Sequence, residues 1–374
     1  MNDMTRFLGG SILGWILFLG IAEGAEAQVI EDCEEPCGIE VTEIAMLGGD
    51  DAGVGFVGRP RSLARLSDGR FLLADFHEGD RIKIYGPDGT YQRSVGRRGE
   101  GPGEYGSVAS ITRLAGDTIE VYDDASFNDR ITILTSDFQV VETRRTGLPT
   151  GPRTMTTLSD GSRVMNRIIH SPAIIGLPLH TVSPEGELVR SFGADPPIED
   201  LRNGQLHFRW LATASDSTVW AAHRVRYTIE EWSVEGNMMR ELTRQVPWFP
   251  PVERGGFIDA ESPPNPELGP IHSDRAGLLW VVVQVPSANW EEALEMQPDP
   301  YGRQRLVPGN PRLYQDALIE VIDPGTGRIV ARTRTDHRIL GFVADGLVYT
   351  YDETESMEPV VRILELSLAA GASR

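Results

Sequence analysis

One local pattern recurs along this chain and decides what it can fold into. Residues 59–105 read RPRSLARLSDGRFLLADFHEGDRIKIYGPDGTYQRSVGRRGEGPGEY. Four short apolar runs, at 62–66, 70–75, 81–85 and 90–96, are separated by Asp68-Gly69, by a polar loop at 76–80 and by Pro87-Asp88-Gly89. Alternating runs joined by Asp-Gly turns predict a four-stranded antiparallel meander. A lone sheet of this size leaves its faces uncovered, so it demands neighbours of the same kind.

The neighbours are present. The first turn returns as Gly116-Asp117, Asp160-Gly161, Asp216-Ser217, Ala276-Gly277 and Asp345-Gly346, each followed by an apolar run. The second returns as Ser136-Asp137, Pro184-Glu185-Gly186, Glu235-Gly236 and Pro324-Gly325-Thr326-Gly327. Only the last unit lacks it, because the chain runs out after 360–366. Residues 39–47, IEVTEIAML, have the context of a fourth strand with no first three. A closed ring solves both problems, since the N-terminal strand completes the last sheet and removes two bare edges. The expected fold is all-β: a six-bladed β-propeller of four-stranded blades, a single domain over 39–366. In chain order the blades are 59–101, 107–146, 153–193, 209–246, 269–336, and 338–366 with 39–47.

The Asp-Gly turns, the phrase Asp129-Arg130-Ile131 beside Asp80-Arg81-Ile82, and the GEGPGEY of 99–105 give the chain its resemblance to the bacterial six-bladed propellers related to NHL-repeat proteins. The resemblance spans 39–366 and implies fold, not activity. Blades three to five depart from it, lacking the Asp-Arg-Ile phrase and carrying insertions.

Residues 1–27 read as a secretory signal peptide: Arg6, an apolar stretch at 7–22, then Ala25-Glu26-Ala27, with cleavage expected between Ala27 and Gln28. The stretch is shorter than the ~20 residues of a membrane span, and no other long apolar run follows. An exported product, periplasmic or secreted, is therefore expected, with no span in the mature chain. Residues 28–38 form a leader carrying Cys33 and Cys37, for which a small disulfide is expected after export; 367–374 form a tail. The formal charge is −20, and losing Asp3, Glu23, Glu26 and Arg6 leaves −18. That disfavours nucleic acid and anionic lipid as partners.

The tight turns all fall on one face of such a ring. The long loops, at 170–178, 194–208, 247–268 and 286–313, all fall on the other, and they cluster on blades three to five. Insertions confined to one face of a repeat fold mark a binding face. Their aromatics and histidines, Trp248, Phe249, Phe257, Trp290, Tyr301, His170 and His207, are the candidate ligand or partner residues. The alternative is that the rings only pack the insertions onto the blades.

Other constellations carry less. Gly99-Glu100-Gly101-Pro102-Gly103 lacks the Lys-Ser/Thr and the helix of a phosphate cradle. Asp75, Asp123 and Asp352 end the second strands of three blades; they could share a Ca²⁺ ion, or each could bind its own loop, Asp75 with Arg81 and Asp123 with Arg130. His77, His170, His207, His223 and His337 map to the loop face without ligand spacing; His180 and His272 read as packing residues on strands. No nucleophile motif is present. The inner strands offer Ser62, Arg65, Ser110, Arg113, Thr154, Thr157, Thr213 and Ser273, which are poor metal ligands. Two functions stay open. The favoured one is a monomeric, cofactor-free, non-catalytic exported propeller that binds a protein, peptide or glycan. The other is a metal-dependent lactonase or esterase.

Overall fold

The computed structural model describes residues 27–33, 38–49, 53–125, 129–148, 152–193, 206–250, 252, 258, 260–299 and 301–369. Six four-stranded antiparallel sheets stand in a ring, and the chain is a six-bladed β-propeller. The inner strands are Pro60–Arg65, Val108–Arg113, Thr154–Thr157, Arg209–Thr213, Glu267–Ser273 and Ile339–Ala344. Ile39–Gly48 pairs antiparallel with Pro359–Leu368 and closes blade six, with Val41 opposite Leu366 and Leu47 opposite Val361.

The second strands show how sequence becomes ring. In Phe71–Asp75 every residue is buried. Phe71 and Leu73 join the core shared with blade six, while Leu72 and Ala74 join the core shared with blade two. Successive side chains of a strand point to opposite faces. A strand covered on both faces therefore reads as a continuous apolar run instead of an alternating one. Leu279–Pro286 of blade five repeats this: Leu279, Val281 and Val283 pack towards blade four, Trp280 and Val282 towards blade six. Outer strands such as Val140–Arg145 are largely exposed and polar.

Polar clasps cross each joint between blades. Arg61 pairs with Asp124 at 2.8 Å across blades one and two. Arg163 of blade three is bonded to Glu120 of blade two. The Arg209 N–H donates to Asn166 Oδ1 across blades three and four. Arg244 and the Tyr227 hydroxyl of blade four both reach Glu320 of blade five. Gln284 Nε2 donates to the Ile339 carbonyl, and the Tyr351 hydroxyl to that of Gly58. Five joints, or the blades flanking them, also share an apolar cluster; the joint between blades two and three does not, among the described residues.

The leader is part of the ring's wall. Ala27–Val29 lies parallel to Met238–Thr243, the outer strand of blade four. The chain then bridges Arg328 through Glu31 and Arg332 through Gly38, both on blade five. Asp32 contacts Arg244 and Arg332. Cys33 is disulfide-bonded and packs on the core between blades four and five; Cys37 lies outside the described residues. So do residues 1–26 of the expected signal peptide and 370–374 of the expected tail. No helix among the described residues is long and apolar enough to cross a membrane.

The 286–313 insertion is a small subdomain of blade five. It contains a hairpin of Leu294–Pro298 and Gln304–Pro308, preceded by a 3-10 turn at Trp290–Ala293 and followed by one helical turn at Pro311–Tyr314.

Candidate ligand-binding site

A cavity of about 800 Å³ runs along the ring axis between the inner strands. Ser62, Ser110, Arg113, Thr154, Thr157, Thr213 and Ser273, expected there from sequence, all border it. Arg65 does not. Its guanidinium lies over the Phe71 ring at 5.7 Å, because an aromatic face is available beside its strand. Several lining hydroxyls already serve the joints: Thr156 meets Thr213 at 2.8 Å, and Ser62 receives the Ile111 N–H at 2.9 Å.

Several arginines stand on the loop-bearing face, of which Arg61 and Arg153 border the cavity and Arg167, Arg224 and Arg338 do not. Arg153 immediately precedes the inner strand of blade three, and Arg338 that of blade six. Arg167 and Arg224 immediately follow the second strands of blades three and four. Arg224 lies over the Phe208 ring at 5.6 Å and pairs with Glu267 at 2.5 Å. Phe208 meets Trp210 edge-on at 5.1 Å, and both border the cavity. Burial pushes the Arg153 guanidinium below its usual range, and the charges of Arg167 and Arg224 push it further. Burial does the same to Arg338; Glu267 offsets this in part and Arg224 adds to it. The surroundings of Arg153 and Arg338 therefore disfavour their own positive charge. Sequence reasoning missed them, since each belongs to a different blade or strand end. The available signal was positional: Arg59, Arg153 and Arg338 each stand one residue before an inner strand.

At the opposite, turn-bearing end, His272 Nε2 lies 2.7 Å from Asp345 Oδ1, and its ring stacks on Phe342 at 5.2 Å. Arg275 adds a second contact to Asp345 at 3.2 Å. The pair clasps blades five and six.

The residues singled out from sequence that the structure describes do not share one cavity. Phe249 is buried, stacked with Tyr227 at 5.4 Å in the core between blades four and five. Its neighbour Trp248 is 38% exposed and borders a proline-rich groove of about 480 Å³ with Pro250, Pro263, Pro264 and Pro266. Trp290 is half-buried, Tyr301 is 84% exposed near the hairpin tip, and His170 is exposed on blade three. His207 is buried beneath the start of blade four, where its carbonyl accepts Asn166 Nδ2 at 2.9 Å. Phe257 lies outside the described residues. Of the six that are described, only Trp248 borders the groove, and none borders the axial cavity.

The carboxylates that end the second strands each hold their own loop. Asp75 accepts the N–H groups of Gly58, Arg59 and His77. Asp123 accepts those of Gly106, Ser107 and Ala125, and its pairing with Arg130, at 3.0 Å, is the expected one. Asp352 pairs with Arg362. The Asp75–Arg81 pairing is not formed. Lys83, buried one strand across, takes Asp75 at 3.8 Å together with Glu78, and Arg81 turns outward to Asp80. His180 is sealed in blade three, its Nε2–H donating to the Arg167 carbonyl at 2.8 Å and its Nδ1 meeting Ser191 Oγ at 2.7 Å. Among the described residues no three His, Cys, Asp or Glu side chains converge as metal ligands.

No protein-family model matches the sequence, and no curated protein matches it. Solved structures resemble the fold. A member of the DUF4221 family from Bacteroides vulgatus superposes with a TM-score of 0.58 at 10% identity, over 89% of this chain and 99% of its own. A Bacteroides fragilis protein assigned as exported superposes with a TM-score of 0.56 at 11% identity, over 91% and 100%. Virginiamycin B lyase from Staphylococcus aureus aligns more loosely, with a TM-score of 0.46 at 12% identity over 88% and 100%. At such identities the likeness is one of fold.

Proposed function

We propose that this chain is an exported binding propeller, which captures a protein, peptide or glycan on its loop-bearing face without transforming it. One observation supports this above others. The described parts of the insertions of blades three to five lie on the same face as Arg153, which borders the axial cavity. A ring whose turn face is trimmed to tight hairpins, and whose other face is elaborated around a cavity mouth, has the layout of a recognition surface. A metal-dependent lactonase or esterase would draw carboxylate or imidazole ligands from several inner strands. The described cavity wall offers mainly hydroxyls and arginines, with one imidazole, His272, and one carboxylate, Asp345, which are bonded to each other. Export rests on the N-terminal signal pattern and agrees with the assignment of the Bacteroides fragilis neighbour.

The test has two arms. N-terminal sequencing of the chain recovered from outside the cytoplasm should begin at Gln28. Binding to peptide and glycan arrays should be lost when 288–312 are replaced by a short Gly-Ser loop, while the thermal transition of the ring survives. Binding that persists after this replacement, with an esterase or lactonase activity abolished by chelation, would reverse the assignment.

A further inference from the structure

We infer that the loop-face rim of blade five binds an extended peptide through an aromatic side chain and an arginine two positions away. The inference rests on the binding function proposed above and names the partner class for the same face.

Two hollows flank that rim. The first is the proline-rich groove of about 480 Å³ on the side of blade four. Pro250, Pro263, Pro264 and Pro266 wall it, and a proline carries no backbone N–H, so this wall is apolar and poor in donors. Its fixed φ angles also leave little to be ordered when a ligand arrives. Trp248, partly open to solvent, offers a ring for another ring to pack against.

The second hollow, of about 490 Å³, lies on the side of blade six. Asp316, Asp336, Asp352 and Glu353 border it, and no lysine or arginine does among the described residues. Behind the wall, Arg334 answers Asp316 at 2.7 Å and Arg362 answers Asp352 at 3.1 Å, and His337 stands 3.8 Å from Asp336. Four carboxylates against two arginines leave the hollow anionic. Among the described residues these carboxylates do not converge as metal ligands. Ser287, Asn289, Asn310 and Thr354 add neutral acceptors to the same wall. Carboxylates interspersed with neutral acceptors suit a guanidinium, which is planar and carries five donors.

The hollows meet at one ion pair. Arg334 donates from Nε to Asp316 Oδ2 at 2.8 Å and from Nη2 to the Pro286 carbonyl at 2.7 Å. Arg334 and Pro286 border the groove, whereas Asp316 and Ser287 border the acidic hollow. In an extended chain, residues two apart point to the same side, roughly 7 Å from each other. An aromatic residue seated in the groove therefore carries an arginine two positions away over the carboxylates. The groove alone would take any apolar side chain; the charge beside it makes the partner a basic peptide.

The test is fluorescence anisotropy of the full mature chain with two labelled glycine–serine nonapeptides. Each carries tryptophan and arginine two positions apart, one in each order. Replacing the arginine of the better binder by citrulline, its neutral isostere, should weaken it at least about tenfold. Replacing its tryptophan by alanine should do the same. In the protein, Asp336→Asn with Glu353→Gln should weaken the arginine peptide about tenfold and leave the citrulline peptide unchanged. Trp248→Ala should weaken both peptides, and Pro263→Glu, at an exposed wall position, repeats that arm if Trp248→Ala lowers the thermal midpoint. Equal binding of the arginine and citrulline peptides would overturn the inference. Arginine-dependent binding that ignores all these substitutions would be the diffuse pull of an acidic chain, and would overturn it as well. If neither peptide binds while the arrays return a ligand lost with 288–312, the inference falls and the binding function stands. Silent arrays would remove both.

Discussion

The Arg163 guanidinium, on blade three, donates from Nε to Glu120 Oε1 of blade two at 3.1 Å and contacts Oε2 with a second nitrogen. Both side chains are sealed from solvent, and Thr157 donates a further hydrogen bond to the same carboxylate at 3.0 Å. This is the one joint without an apolar cluster spanning it among the described residues. Glu120→Ala leaves a buried guanidinium unmatched and should cost about 3–5 kcal/mol, whereas Glu120→Met with Arg163→Met should recover most of the loss. Urea unfolding of the three proteins measures this. A double variant no more stable than Glu120→Ala would show that the joint depends on the ion pair itself.

A glycine locks the closing strand in place. Gly89 sits at φ 85°, and a Cβ there would meet the Met46 carbonyl oxygen at 2.2 Å. Gly277 has a similar φ of 81°, with nothing within 4 Å of such a Cβ. Gly277→Ala should therefore cost only the backbone penalty of roughly 1 kcal/mol. Gly89→Ala must also push the Ile39–Gly48 strand off its seat, and should lower the thermal midpoint by a clearly larger amount. Equal losses at the two positions would mean that this strand yields freely.

The two tyrosine and phenylalanine rings of the insertions should behave oppositely. Phe249→Ala empties a buried site stacked on Tyr227 and should cost about 3–5 kcal/mol. Tyr301→Ala removes a ring that is 84% exposed and should change stability by no more than about 0.5 kcal/mol. Its effect should be confined to binding on the loop face, read by the same arrays.

Acid should attack blade four through Glu230. Burial raises the pKa of this carboxyl, but the hydrogen bond and charge of His223, the charge of Arg209 and the Trp232 indole N–H outweigh it and bring the value down to about 2. A carboxylate whose folded pKa lies below its unfolded one stabilises fully above the unfolded value, near 4.5, and loses that contribution as pH falls towards 2. The difference in unfolding free energy between the native chain and Glu230→Gln should therefore shrink as pH falls from about 4.5 to 2. A constant difference across the acid window would place the stabilising partner elsewhere.

The ring was legible in the sequence for a physical reason. Tight hairpins demand positive φ, and Gly69, Gly161, Gly186, Gly236 and Gly346 all adopt it, so the turns announced themselves. The unmatched run at 39–47 and the strand-short last unit then implied each other. The choice of side-chain partner was less legible. Asp75 and Asp123 occupy equivalent places, yet Lys83 on the third strand of blade one reaches Asp75 and displaces Arg81 from the role that Arg130 plays in blade two. The route of the leader was hidden too, because Ala27–Val29 pairs with a strand more than 200 positions on, as the Asp32–Arg244 contact, 212 positions apart, makes plain. The arginines of the loop-bearing face were hidden by the same distance: only a superposition of blades brings Arg153, Arg224 and Arg338 onto one level.

Glu43 and Arg362 meet at 2.9 Å although 319 positions separate them, on the two strands that complete blade six. Order of synthesis and order of assembly are therefore inverted for the first long strand. It leaves the ribosome before any blade exists and is seated only when residues 359–368 have been made. Until then the growing sheets form an arc with two bare ends, so the circle waits on the strand at 359–368.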